Sequence, residues 1–196
     1  MNKYLLVLIA SLMSFTTISN EPVDRIGVKG PLIFNKTTFR LAWTSKPTET
    51  YYIQEYLPKG ETADHFNQML SIFLLVGNTK LETAVQQKTK ELDAKKMTDP
   101  TCNYMVNENP GKTEYMVDFL LGESELGKPG IQEFNIYHYR LVDLGNKKKG
   151  ILVYAFTKRA YGEDITPFLK NLKTDRVDFL NQMIEAVKPT VTIAGN

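Results

Sequence analysis

Two long β-forming segments, Ile131 to Leu144 and Ile151 to Arg159, are separated only by Gly145-Asn146-Lys147-Lys148-Lys149-Gly150. Strand formers on both sides of a short loop with glycine at each end predict an antiparallel hairpin, because glycine supplies the backbone angles such a connection needs. A second pair repeats the arrangement: Cys102 to Val106 and Glu114 to Leu121 flank Asn109-Pro110-Gly111. Further upstream, Phe39, Leu41 and Trp43 alternate with Arg40, Ala42 and Thr44, a period of two. The turn chemistry of Lys46-Pro47-Thr48-Glu49-Thr50 joins that strand to Tyr51 to Leu57, which Pro58-Lys59-Gly60 ends. Ser71 to Val76 is strand-sized as well.

Helical signals lie between these strands. Thr62 is placed to cap a short helix through His65, Phe66 and Met69. Thr79 and Glu82 stand at capping-box spacing before a helix with Leu81, Ala84, Val85 and Leu92 on one face, ending near Met97. Thr166-Pro167 opens a closing helix to about Val187, with a possible break near Thr174. Its apolar stripe is Phe168, Leu172, Phe179, Leu180, Met183 and Ile184, and Pro189 stops it. Hairpins with few helices predict an α+β fold: a mainly antiparallel sheet of six to seven strands covered by two or three helices.

The N-terminus belongs to a different physical class. Met1-Asn2-Lys3 is a charged start, Tyr4 to Met13 is a short apolar run, and a small-residue tail ends at Ser19. This is the layout of a secretory signal peptide, with cleavage expected after Ser19. The run falls short of the about 20 residues a bilayer-spanning helix needs. An uncleaved anchor is the alternative, and no Cys follows the run for lipid attachment. Residues 1–19 are therefore taken as the signal, 20–30 as an N-terminal arm, and 31–196 as a single domain that is periplasmic or extracellular.

The net charge of +2 gives no electrostatic footprint for nucleic acid. The densest basic cluster, Lys147 to Lys149, lies in the hairpin loop. No apolar segment after the signal is long enough to span a membrane. Cys102 is the only cysteine, so an internal disulfide is impossible and packing alone must hold the domain. Its strand-like setting suggests a buried small hydrophobe rather than a nucleophile, which needs an exposed, electropositive position.

No glycine-rich phosphate loop, zinc-binding helix motif, paired cysteines or nucleophile elbow is present. His65 and His138 have no metal-ligand partner at helical or strand spacing, so neither a metal nor a cofactor is expected. One constellation comes from the last hairpin. If Leu144 pairs with Ile151, His138 meets Thr157 and Arg140 meets Ala155, and His138, Arg140, Thr157 and Arg159 share one face. Guanidinium groups beside a histidine suit a carboxylate or phosphate. A one-residue slip of register would move the partner strand's set to the opposite face.

Aromatic residues cluster on the first hairpin as Trp43, Tyr51, Tyr52 and Tyr56, with Tyr137 and Tyr139 later in the chain. An exposed row of rings makes a platform for a peptide or sugar. Tyr52, Gln54 and Tyr56 are the expected ligand-facing set, with Tyr51, Ile53 and Leu57 toward the core.

The signal, the hairpin Trp43 to Tyr56 with its run Tyr51-Tyr52-Ile53-Gln54-Glu55-Tyr56-Leu57-Pro58-Lys59-Gly60-Glu61, and the final strand-strand-helix resemble small exported bacterial proteins of unassigned function. Their element order is similar to PsbP/Mog1-like α/β/α sandwiches. The resemblance implies a binding or accessory role and assigns no functional residue. The expected function is an exported, non-catalytic module for a protein or peptide partner in the cell envelope. The alternatives are a small-ligand carrier with a pocket near His138, Arg140 and Arg159, and a hydrolase using the His138 region or Cys102.

Overall fold

A computed structural model describes residues 21–125 and 128–193 of the chain. The signal-peptide expectation, its cleavage point and the residue Asn20 lie outside the described residues. One antiparallel sheet of eight strands carries the fold, in the order β1-β2-β3-β4-β8-β7-β6-β5. The strands are β1 (Leu32–Phe34), β2 (Thr37–Thr48), β3 (Tyr51–Pro58), β4 (Gln68–Val76), β5 (Asn103–Glu108), β6 (Glu114–Glu125), β7 (Lys128–Asp143) and β8 (Lys149–Tyr161). Among the described residues two α-helices complete it, α1 (Leu81–Lys96) and α2 (Ile165–Glu185), the second preceded by a 3-10 turn at Gly162–Asp164. The α+β class and the antiparallel sheet stand. The strand count rises to eight because β1, a three-residue strand against Phe39, Thr38 and Thr37, is too short to show a period.

The sheet separates two cores. On one face Phe134, Ile136, Tyr154 and Phe156 pack with Leu70, Ile72 and Leu74 under Phe168, Leu172, Phe179 and Met183 of α2. On the other, Val117, Phe119, Tyr139, Ile151 and Val153 pack with Leu81, Val85 and Leu92 of α1. Each strand feeds both faces because successive side chains point to opposite sides.

Several local expectations change. The chain from Lys59 to Asn67 forms turns and bends, not a helix. Glu61 accepts from the Asn67 and Gln68 amides there, so a side chain supplies what helical bonds would have given. Helix α1 begins after Lys80 with no side-chain cap, so Thr79 does not form the capping box. Helix α2 starts two residues before Pro167 and runs unbroken past Thr174.

The segment expected as a polar arm belongs to the core. Ile26 is fully buried and Val28 nearly so. Asp24 Oδ1 accepts from the Ile26 and Val28 amides and folds the segment into a turn. The Thr192 amide donates to Ile26 O at 2.8 Å, so both ends of the described chain are stitched together. Gly27, at φ +71°, lies so close to Thr192 that a Cβ there would come within 2.1 Å of its Oγ1.

Candidate functional site

The β7–β8 hairpin decides where the expected anion site goes. Asp143 pairs with Lys149, so His138 meets Tyr154, Asn135 meets Thr157 and Glu133 meets Arg159. Against the expected pairing of His138 with Thr157 this is a shift of three residues. An odd shift moves one strand's side chains to the other face. The loop is tighter than expected because Gly145, Asn146 and Lys147 all adopt positive φ.

The expected cluster is therefore split. Thr157 lies buried on the α1 side, where its hydroxyl donates to Asn135 Oδ1 at 2.7 Å. Arg159 is engaged by Glu133, and its guanidinium stacks 3.9 Å from the Phe66 ring centroid. His138 and Arg140 stay together on the α2 side. His138 Nε2 donates to Glu114 Oε2 at 2.9 Å, while Arg140 Nη2 donates to Pro189 O at 3.2 Å. Lys188 Nζ donates to Ile184 O nearby. Burial and then the Lys188 charge push the His138 imidazole below its ordinary value, against the pull of Glu114. A cavity of about 180 Å³ adjoins His138, Met116 and Ile184.

Tyr52, Gln54 and Tyr56 face inward, the reverse of the expected orientation. Gln54 and Tyr56 are fully buried and Tyr52 is 7 % exposed. Gln54 Oε1 accepts from the Arg25 amide at 2.7 Å, and its Nε2 donates to Tyr56 Oη at 2.6 Å. Tyr56 Oη in turn donates to Val28 O. These side chains hold the N-terminal segment against the sheet instead of presenting a surface. Alternation identified two faces on β3 but not which one the incoming segment would cover.

The other face of the same hairpin carries the aromatic surface. A register shift between Leu41 and Trp43 sets Trp43 opposite Glu55. Trp43 is 44 % exposed, and Tyr51, Ile53 and Glu55 are half-buried beside it. Burial holds the Glu55 carboxyl above the usual carboxylate range. This row runs into a cleft of about 220 Å³ between the sheet and α1. Its floor is Tyr51, Phe73, Tyr137 and Tyr139, and its wall is Lys88 and Glu91.

The cleft is ordered by ring packing. Phe73 and Phe119 flank Tyr137 at centroid distances of 5.5 and 5.0 Å. Lys88 Nζ lies 5.1 Å from the centre of the Tyr137 ring and 3.8 Å from Glu91 Oε2. Burial lowers the Lys88 ammonium from its ordinary value and Glu91 opposes the shift. Desolvation pushes the hydroxyls of Tyr137 and Tyr139 well above the normal tyrosine range, so both remain neutral donors at any physiological pH. The result is a trough with aromatic rings and neutral hydroxyls along its floor and one cation and one anion in its wall.

Cys102 is buried, and its thiol donates to Leu92 O at 3.5 Å. Burial and then Asp99 push the thiol up. It packs in the α1-side core, whereas His138 lies on the α2 side, so the two do not form a nucleophile–base pair. Among the described residues no three His, Cys, Asp or Glu side chains are grouped to hold a metal ion. Among the same residues no helix is long and apolar enough to cross a membrane.

No curated protein and no solved structure matches the chain. A family model does match, over residues 26–187, a span that begins at the buried Ile26 and ends just beyond α2. The chain belongs to that family, which is one of unknown function.

Proposed function

We propose that this protein is an exported bacterial binding or accessory module, periplasmic or extracellular, that holds a protein or peptide partner at the α1-side cleft and performs no chemistry there. The cleft itself is the observation that carries the reading. Its floor is Tyr51, Phe73, Tyr137 and Tyr139, and exposed Trp43 lies on the neighbouring strand β2, opposite Glu55. Small-molecule sites occupy about 300–1,000 Å³. A cleft of about 220 Å³ with an aromatic approach instead suits one anchoring side chain from a larger partner. One helix on each face of an antiparallel sheet also agrees with the PsbP/Mog1-like layout and its accessory role.

The test is co-purification from the native cell envelope, using the full chain with a C-terminal tag, followed by mass spectrometry. A stoichiometric protein that is lost in Trp43→Ala and Tyr51→Ala, but kept in Ile184→Ala on the opposite side, supports the reading. Its retention in both cleft variants, or a protein that emerges without any partner, overturns it.

A second reading, the small-ligand carrier, draws on a different cavity. A space of about 340 Å³, within the small-molecule range, lies between β8 and the first half of α2. Lys158, Arg159, Asp164, Phe168, Asn171 and Phe179 line it. Native mass spectrometry of the purified protein decides this reading: a bound mass lost in Phe168→Trp supports it.

A further inference from the structure

β5 is the last strand of the sheet, and among the described residues no further strand pairs with its outer side. Five of its six residues are exposed, including Met105 at 53 % and Val106 at 42 %. Residues 103–107 carry no charge and no proline, the usual means of blunting a sheet edge. The opposite edge, β1, is only three residues long. The direction of the β5 backbone groups follows from the ladder. Asn109 N–H donates to Glu114 O, in the same register that pairs Glu108 with Tyr115. Pairing groups alternate along an antiparallel strand, so odd-numbered residues bond to β6. The amides and carbonyls of Tyr104 and Val106 therefore point away from the sheet. The Cys102 amide agrees, since it donates to Asp99 O and not to β6.

We infer that β5 pairs antiparallel with β5 of a second copy of this chain, joining two sheets across a two-fold axis at Met105. Such an axis, perpendicular to the sheet, keeps each face on its own side, so facing residues must share parity. Centring on Met105 sets Tyr104 opposite Val106 twice, with their outward backbone groups bonded to each other once the Tyr104 amide exchanges its 3.0 Å hydrogen bond to Asn103 Oδ1 for one across the axis. It also sets Asn103 opposite Asn107. Aromatic against β-branched is a favourable cross-strand pair. The charges agree as well. Lys96 Nζ sits 4.1 Å from the centre of the Tyr104 ring. In this register Glu108 of the second copy falls on the same face, diagonal to Tyr104, so an acid meets that ammonium on both sides of the axis. Centring on Val106 would instead set Glu108 directly against Tyr104 and lose both Tyr104–Val106 pairs. The contact is isologous, so it closes at two copies and leaves no bare β5 edge.

Edge pairing alone gives a small interface, so a dimer in the micromolar range is expected. Sedimentation velocity of the full chain over a range of about 1–100 μM reads it. The expected result is a reversible monomer–dimer equilibrium. Val106→Lys weakens it at least tenfold with unchanged circular dichroism and melting, because the position is exposed in the monomer. Glu108→Lys also weakens it, and the charge swap Lys96→Glu/Glu108→Lys restores it, a response that a general loss of folding does not give. Trp43→Ala and Tyr51→Ala leave it unchanged, which separates this contact from the partner cleft. A monomer at every concentration, or a dimer indifferent to Val106→Lys or to Glu108→Lys, overturns the inference.

Discussion

Gln54 shows how one buried amide organises its surroundings. Its carbonyl takes the Arg25 amide, and its NH2 group reaches both Tyr56 and Val28 O. Each of these groups is buried or partly buried, so water cannot substitute cheaply. Gln54→Leu removes the acceptor for Arg25 N–H and half of the tie to Val28. It should cost about 1–3 kcal/mol in urea denaturation, whereas Tyr56→Phe, which leaves Gln54 Nε2 on Val28 O, should cost about 1 kcal/mol. Neither change should affect partner capture, because neither side chain reaches the α1-side cleft. From the strand pattern alone Gln54 looks like a polar, outward position. Its burial depends on a backbone segment twenty-six residues away in the chain, and no local pattern records that.

Between elements, the contact of α2 with β6 rests on an ion pair. Asp118 is 3 % exposed, and Arg176 grips it with two hydrogen bonds of 2.7 and 2.8 Å. Arg176 Nη2 also reaches Met105 Sδ, so the same side chain spans from the helix to the edge strand. Removing only the arginine leaves a buried carboxylate without its counter-charge. Arg176→Met should therefore destabilise the fold by about 3 kcal/mol, while the double variant Asp118→Leu/Arg176→Met should recover most of that loss. Equal denaturation midpoints for the single and double variants would refute the account. Just beyond α1, Asp99 is also held by specific partners. Burial acts to raise its carboxyl, yet hydrogen bonds from Gly122 N and from Thr101, with the Lys95 charge, outweigh burial and hold it below the usual range. Gly122 fits there because any Cβ would come within 2.5 Å of Thr101 Oγ1.

For the molecule as a whole, His138 ties stability to pH. The groups around it are Glu114 from β6, Arg140 from its own strand and Lys188 beyond α2. Its native value lies below the ordinary 6.5, mainly through burial. Between the two values the unfolded chain binds more protons than the native one, so stability is full above about pH 6.5 and falls as the pH drops below it. Urea midpoints at about pH 7 and pH 5 should show this fall, and His138→Gln should flatten it; an unchanged slope in the variant would exclude His138 as the cause. The Asp99 contribution is lost only in the more acidic carboxylate window, so the two effects separate. The sequence alone was enough to establish the α+β class, seven of the eight strands and both α-helices, because these follow from periods of two and 3.6 and from turn residues. It also marked Cys102 as a buried small hydrophobe, since composition and context sufficed. The faces were another matter. Whether Tyr52 or Tyr51 pointed inward depended on where residues 24–28 docked, and whether Arg159 joined His138 depended on three positive-φ residues in one loop. Period-two alternation is symmetric between the two sides of a sheet, so only the packed tertiary structure, by covering one side, decided which residues became core and which became surface.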